Sequence, residues 1–216
     1  MRFGRSFAAV SAVMWVVLLA GSGCAPSEPV QSASPDESTT PSQPAGTSES
    51  PEPAEEEPAL LTLSSPAFAD GERIPTIHAL ASVSGGENVS VPLQWAGAPE
   101  GTASFALAMV DRHPVANEWV HWLVVDIPAD VTSLAADASG SAMPDGCREV
   151  NTTFGRPGYG GPAPPAGSGE HDYEFTLYAL DVSEIDVGEQ PSADEIERAV
   201  EGHVLVSARL VGTFSR

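Results

Sequence analysis

The chain has no lysine; all nine of its basic residues are arginine, set against 30 acidic residues in a length of 216. It has two cysteines, Cys24 and Cys147, and aromatic residues make up 6% of it. Its main apolar run, Phe7 to Ala20, is about 14 residues, short of the ~20 that span a bilayer. Each scarcity excludes something. A formal charge of −21 repels nucleic acid and anionic headgroups at long range, so no DNA, RNA or polybasic membrane docking is expected. Two cysteines cannot build a disulfide framework, so the folded part must be held by its core. There is no GxSxG elbow, no P-loop, no HExxH and no Cys-His signature. Gly158-Tyr159-Gly160-Gly161 has the look of part of a dinucleotide loop, but prolines rather than a helix follow it.

What is present divides the chain into three. Residues 1–24 read as a targeting segment, with Arg2 and Arg5 before the apolar run and Gly21, Ser22 and Gly23 before Cys24. This resembles a bacterial lipoprotein signal in which Cys24 is acylated. Gly21 departs from it, since a leucine is usual three residues before the cysteine. The reading is export, with lipid anchoring to the outer face of the cell membrane through Cys24. The alternative is a secreted chain in which Cys24 is incidental. Residues 25–58, rich in Pro, Ser, Thr and Glu and free of basic residues, have almost nothing to bury and read as a disordered, extended tether. Removing Arg2 and Arg5 takes the formal charge from −21 to −23.

Residues 60–216 are enough for one domain with a substantial core. The pattern is mostly strand, with turn signals every 8 to 15 residues. Val89, Val91, Leu93 and Trp95 alternate with polar or small residues around Pro92, which suggests a rim strand. Phe105, Leu107 and Met109 alternate with small residues. The stretch 119–128 is apolar on both sides, as a central strand should be, with Trp119, His121, Leu123 and Val125 expected on one face. Residues 155–169 hold six glycines and four prolines and must be a rigid loop. A strand from His171 should align His171, Tyr173, Phe175 and Leu177. Ser192 to Glu195 is a capping box opening a short helix through Ile196, Ala199 and Val200, which Gly202 ends. The expected fold class is all-β: a two-sheet antiparallel sandwich with one or two short helices.

Asp111, His113, His121, His171 and Tyr173 are the residues whose chemistry could converge. Imidazoles, a phenol and glycine amides make an anion cradle, in which Asp111 would orient the His121 ring. The same residues could bind a metal, although the spacing of His113 and His121 across a proline turn argues against it. A hydrolase reading lacks a nucleophile. Cys147, after the turn Pro144-Asp145-Gly146, reads as a partly buried structural cysteine rather than a reactive thiol.

Several stretches also resemble the phosphatidylethanolamine-binding protein family, in its bacterial Raf-kinase-inhibitor-like branch. They are SPAFADGERIP (65–75), VPLQWAGAPEGTASFALAMVD (91–111), WVHWLVVDIP (119–128), NTTFGRPGYGGPAPPAGSGEHDYEFTLYALD (151–181) and EGHVLVSARLVGTF (201–214). The resemblance implies an antiparallel sandwich with a small pocket for phosphate-like groups and phosphorylated headgroups. It carries the pocket onto Asp111, Trp119, His121, the Gly161 to Pro165 loop with Pro164 and Pro165, His171 and Tyr173. Two departures stand out. Asp111-Arg112-His113-Pro114 replaces Asp-Pro-Asp-Ala-Pro, so His113 stands where an acid is usual. His171-Asp172-Tyr173 replaces His-Arg-Tyr. Both are expected to alter the charge around the pocket. The resulting expectation is a binding module rather than an enzyme, with no cofactor and no metal. Its partners would be a small phosphate- or carboxylate-bearing ligand and the membrane through Cys24; the alternative function is a surface-acting inhibitor or interaction protein for an envelope hydrolase or kinase.

Overall fold

The computed structural model describes residues 60–216; the leader, Cys24 and the acidic tether lie outside the described residues. Eight strands and one α-helix form there: β1 Thr62–Ser64, β2 Leu93–Ala96, β3 Ser104–Asp111, β4 Trp119–Pro128, β5 Ser133–Leu134, β6 Arg148–Glu149, β7 His171–Leu180, α1 Ala193–Val200 and β8 Val204–Phe214. Two single 3-10 turns, Thr76–His78 and Pro114–Ala116, precede β2 and β4. The strands make a three-stranded sheet, β1-β2-β5, and a five-stranded sheet, β6-β4-β3-β7-β8, with antiparallel pairing throughout. The all-β sandwich expected from the sequence is the fold.

The main core lies between the sheets. Leu63, Leu93 and Trp95 of the small sheet join Phe105, Leu107, Met109, Trp122, Phe175 and Leu177 of the large one. The large sheet is covered on its other face as well. Ala106, Ala108, Val110, Val120, Leu123 and Val125 meet Ile196 and Val200 of α1 there. β3 is buried at all eight positions. Its alternation of large and small residues has a direct use: Phe105, Leu107 and Met109 fill the inter-sheet space, while Ala106 and Ala108 let the helix side approach closely.

Two expectations about strands change. β2 was expected at a rim because of Pro92, yet it is the central strand of its sheet. The strand starts at Leu93, so the proline removes no ladder donor. β4 does not keep strict alternation. Val110 pairs with Val120 and Met109 with Trp122, so β4 carries an extra residue at His121. A second bulge lies between the Leu107–Val124 and Phe105–Ile127 pairs, where Asp126 adopts φ 59°. A bulge resets which face the following residues use. Leu123 and Val125 therefore join Val120 on the helix side, while His121 turns toward Tyr173.

α1 is set by its cap. The Ser192 hydroxyl accepts from the Glu195 amide at 3.3 Å, and the Glu195 carboxylate accepts from the Ser192 amide at 2.9 Å. Ile196 and Val200 are buried, and Gly202 at φ 85° follows the C-terminal turn. Ser192→Ala removes one half of this box. It should lower stability by about 1 kcal/mol, read as a lower urea midpoint at unchanged slope.

Candidate functional site

The central strands β3 and β4 are apolar through their middles and admit polar side chains at their ends and bulges. Asp111 is the last residue of β3 and pairs in register with Trp119, the first of β4, and with Tyr173 near the start of β7. It is 3% exposed, so its carboxylate needs partners. One oxygen accepts from the His113 backbone amide at 2.9 Å, and the other lies 2.7 Å from His171 Nδ1. His171 Nε2 is in turn 2.9 Å from the Ser168 hydroxyl, so both ring nitrogens are engaged. The His113 ring stacks on the His171 ring, with centroids 3.9 Å apart at 13°.

His121 is held differently. Its Nδ1 lies 2.6 Å from the Gly160 carbonyl, and the Gly160 amide donates to the His121 carbonyl at 2.9 Å. A carbonyl only accepts, so Nδ1 carries the hydrogen. Burial pushes the His121 pKa down to about 4, outweighing the raising influence of the Gly160 carbonyl and of Asp111. The ring is therefore neutral near pH 7, with the lone pair on Nε2. The Tyr173 ring meets it edge-on at 5.1 Å. The Tyr173 hydroxyl is fully buried and completes no hydrogen bond by distance and angle, although the Asp111 carboxylate and the Ala163 amide lie close to it. Burial first, and Asp111 second, push its pKa up, which keeps it a donor.

These groups border a cavity of about 550 Å³. Asp111, Trp119, His121, Pro164, Pro165, His171 and Tyr173 line it. Gly161 and His113 are not among its lining residues. Gly161 stands behind the wall, where a side chain would collide with the His78 carbonyl, and its amide donates to Asn88 Oδ1 at 2.8 Å. His113 backs the His171 ring, and its Nδ1 accepts from the Val115 amide at 3.2 Å. Asp111 was expected to orient His121; it holds His171, and Gly160 orients His121. Of the two departures, His113 stands behind the lining, stacked on His171, and Asp172 is exposed on the alternate side of β7.

Other lining residues escaped the sequence reading. Phe154 lies edge-on to both Trp119 and His121, each at 5.4 Å, in space left by the missing side chain of Gly160. Thr153 and Asn117 add a hydroxyl and an amide. The loop is also pinned from the far side of the chain: Asn88 donates to the Tyr159 carbonyl at 3.1 Å, and Tyr159 donates to the His78 carbonyl at 3.0 Å. Such partners, some 70 to 80 residues apart, have no local pattern that a single sequence displays. Among the described residues no group of three or more His, Cys, Asp or Glu is placed to hold a metal ion.

The model of the phosphatidylethanolamine-binding protein family matches residues 64–215, most of the chain. The chain belongs to that family. It is 40% identical over 151 residues to the UPF0098 protein YbhB of Escherichia coli, which covers 68% of this chain and 94% of the relative. It is 41% identical over 157 residues to a Mycobacterium tuberculosis protein named "Putative lipoprotein LppC", covering 71% and 72% of the two chains. The crystal structure of Escherichia coli YbcL, described as a member of the mammalian PEBP family, superposes with a TM-score of 0.67 at 33% identity. That match covers 73% of this chain and 99% of YbcL.

The lowered His121 pKa has a consequence for stability. An unfolded histidine takes a proton near 6.5 and the folded one only near 4, so the unfolded state binds more protons between them. Stability is fully present above about pH 6.5 and is lost as the pH falls toward 4, by about 3 kcal/mol from this group. Thermal melts of wild type against His121→Gln should show this slope shrink in the variant.

Proposed function

We propose that the chain is an extracytoplasmic binding module whose pocket takes a small anionic ligand bearing phosphate or carboxylate, phosphorylated headgroups included. The Tyr173 hydroxyl carries this reading. A buried hydroxyl without a partner costs roughly 1–3 kcal/mol, and a ligand oxygen that accepts from it removes that cost. It lies beside His121 and Asp111 on a cavity of suitable size for a small molecule.

Two features favour binding over turnover. Ser168, His171 and Asp111 form a series that resembles a nucleophile, base and orienting acid, at 2.9 and 2.7 Å. The Ser168 oxygen, however, also lies 2.7 Å from the Pro165 carbonyl, which can only accept, so the single hydroxyl hydrogen is directed away from His171. Cys147, the other nucleophilic type, is partly buried, and burial followed by Asp126 and Glu149 pushes its thiol up to about 11.

Titration with inorganic phosphate or phosphorylethanolamine tests the pocket. Saturable binding in the millimolar range or tighter is expected, weakened at least about tenfold by His121→Ala, which corresponds to ~1.4 kcal/mol. Absence of binding, or binding indifferent to that substitution, would defeat the reading. The lipid anchor is proposed from the leader and Cys24, and the name of the mycobacterial relative agrees with it. Cys24→Ala should move the protein from the membrane fraction to the soluble fraction of expressing cells; retention in the membrane would count against acylation.

A further inference from the structure

The pocket is unusual for an anion site in what it does not bring to the ligand. The chain has no lysine, and no arginine lines the cavity. Arg112, next to Asp111 in sequence, turns away to Glu118, Glu174 and Glu197 at 2.8, 2.9 and 3.3 Å. Arg156 lies over the Phe154 ring at 5.9 Å, outside the lining. The titratable groups that face His121 are Asp111 from β3 and His171 and Tyr173 from β7. Both Asp111 oxygens accept hydrogen bonds, as a carboxylate does, and both nitrogens of His171 are already engaged.

His121 then decides the proton count. Its Nδ1 hydrogen is committed to the Gly160 carbonyl at 2.6 Å. Nε2 is left with the lone pair, on a ring that lines the cavity and lies close to the Gly161 backbone as well. The floor thus offers one orphan donor, Tyr173, beside an acceptor nitrogen and a carboxylate. A fully ionised phosphate presents only acceptors. It would face the Nε2 lone pair with a lone pair of its own and set two negative charges near Asp111.

We infer that the pocket takes phosphate monoesters in their protonated, singly charged form, with the ligand's P–OH donating to His121 Nε2 and another phosphate oxygen accepting from Tyr173. This rests on the anion-pocket reading above and sharpens it in two ways. Phosphate is preferred over carboxylate. At pH 7 about one phosphomonoester in ten still holds its last proton, whose pKa is about 6, whereas roughly one carboxylic acid in 500 does, with a pKa near 4.3. A phosphodiester, as in an intact phospholipid, has no such proton near neutral pH and is disfavoured. The bound complex holds one proton more than the separated partners above about pH 6, so binding strengthens as the pH falls toward that value.

Calorimetric titration of the full-length chain in mild detergent tests this, with methyl phosphate and dimethyl phosphate as probes between pH 5.5 and 8.5. The affinity for methyl phosphate should be nearly level below about pH 6 and fall about tenfold per pH unit above it, with one proton taken up per ligand in buffers of different ionisation heat. Dimethyl phosphate should bind at least about tenfold more weakly at pH 6 and show no slope. His121→Gln, whose side-chain amide can donate, should flatten the methyl phosphate profile. Equal affinity for the two probes, a level or inverted profile, or a slope unchanged in His121→Gln would overturn the inference while leaving the pocket standing. If methyl phosphate binds at no pH, the pocket reading falls with it.

Discussion

The central strands β3 and β4 of the five-stranded sheet are buried on both faces, and the placement of the polar chemistry follows from that. A strand such as β3, with Phe105, Leu107 and Met109 on one side and Ala106 and Ala108 on the other, has no room for an unpaired polar side chain within its length. Polar groups are admitted at the ends and at irregularities. Asp111 closes β3 and is satisfied by His113 and His171. Asp126 occupies the second bulge of β4 and is satisfied by Arg148 at 2.9 Å and by the Ile185 amide at 3.0 Å. The pocket sits where three strand ends meet, because that is where a carboxylate, two imidazoles and a phenol can share hydrogen bonds.

The parts of this arrangement that depend on local pattern are legible in the sequence. The His171, Tyr173, Phe175 and Leu177 face, the capping box at Ser192 and the rigidity of the loop after Gly155 all follow from periodicity or from residue chemistry. The convergence of Asp111, His121 and His171 was expected from residue chemistry and from the family likeness, since no spacing rule gives it. What stayed hidden is tertiary. The extra residue at His121 leaves no mark in WVHWLVV, yet it reassigns Leu123 and Val125 to the opposite face. The edge reading of β2 failed because it placed Pro92 inside the strand, when the pairing begins one residue later. Phe154, Asn88 and His78 matter through contacts with Gly160, Gly161 and Tyr159, and those contacts exist only once the loop is folded back.

Charge works at two ranges here. Over the whole chain, an excess of acidic residues gives a field that repels anions at a distance. At the pocket, the Arg112 guanidinium is committed elsewhere, and the polar side chains of the lining act through short-range hydrogen bonds. A site of this kind gains little long-range attraction for its ligand. It relies instead on the fit of donors and acceptors in a space where burial keeps His121 neutral and Tyr173 protonated.

The hydrogen bonds that build the pocket join residues far apart along the chain: Asp111 to His171 spans 60 positions, His121 to Gly160 spans 39 and His78 to Tyr159 spans 81. Contacts of such separation cost loop-closure entropy before they return any energy, which slows folding. The pocket needs segments from β3, β4, the 155–169 loop and β7 to be in place together. A ligand that occupies it therefore stabilises only the fully folded state, and its effect on melting temperature should follow simple mass action across the whole unfolding transition.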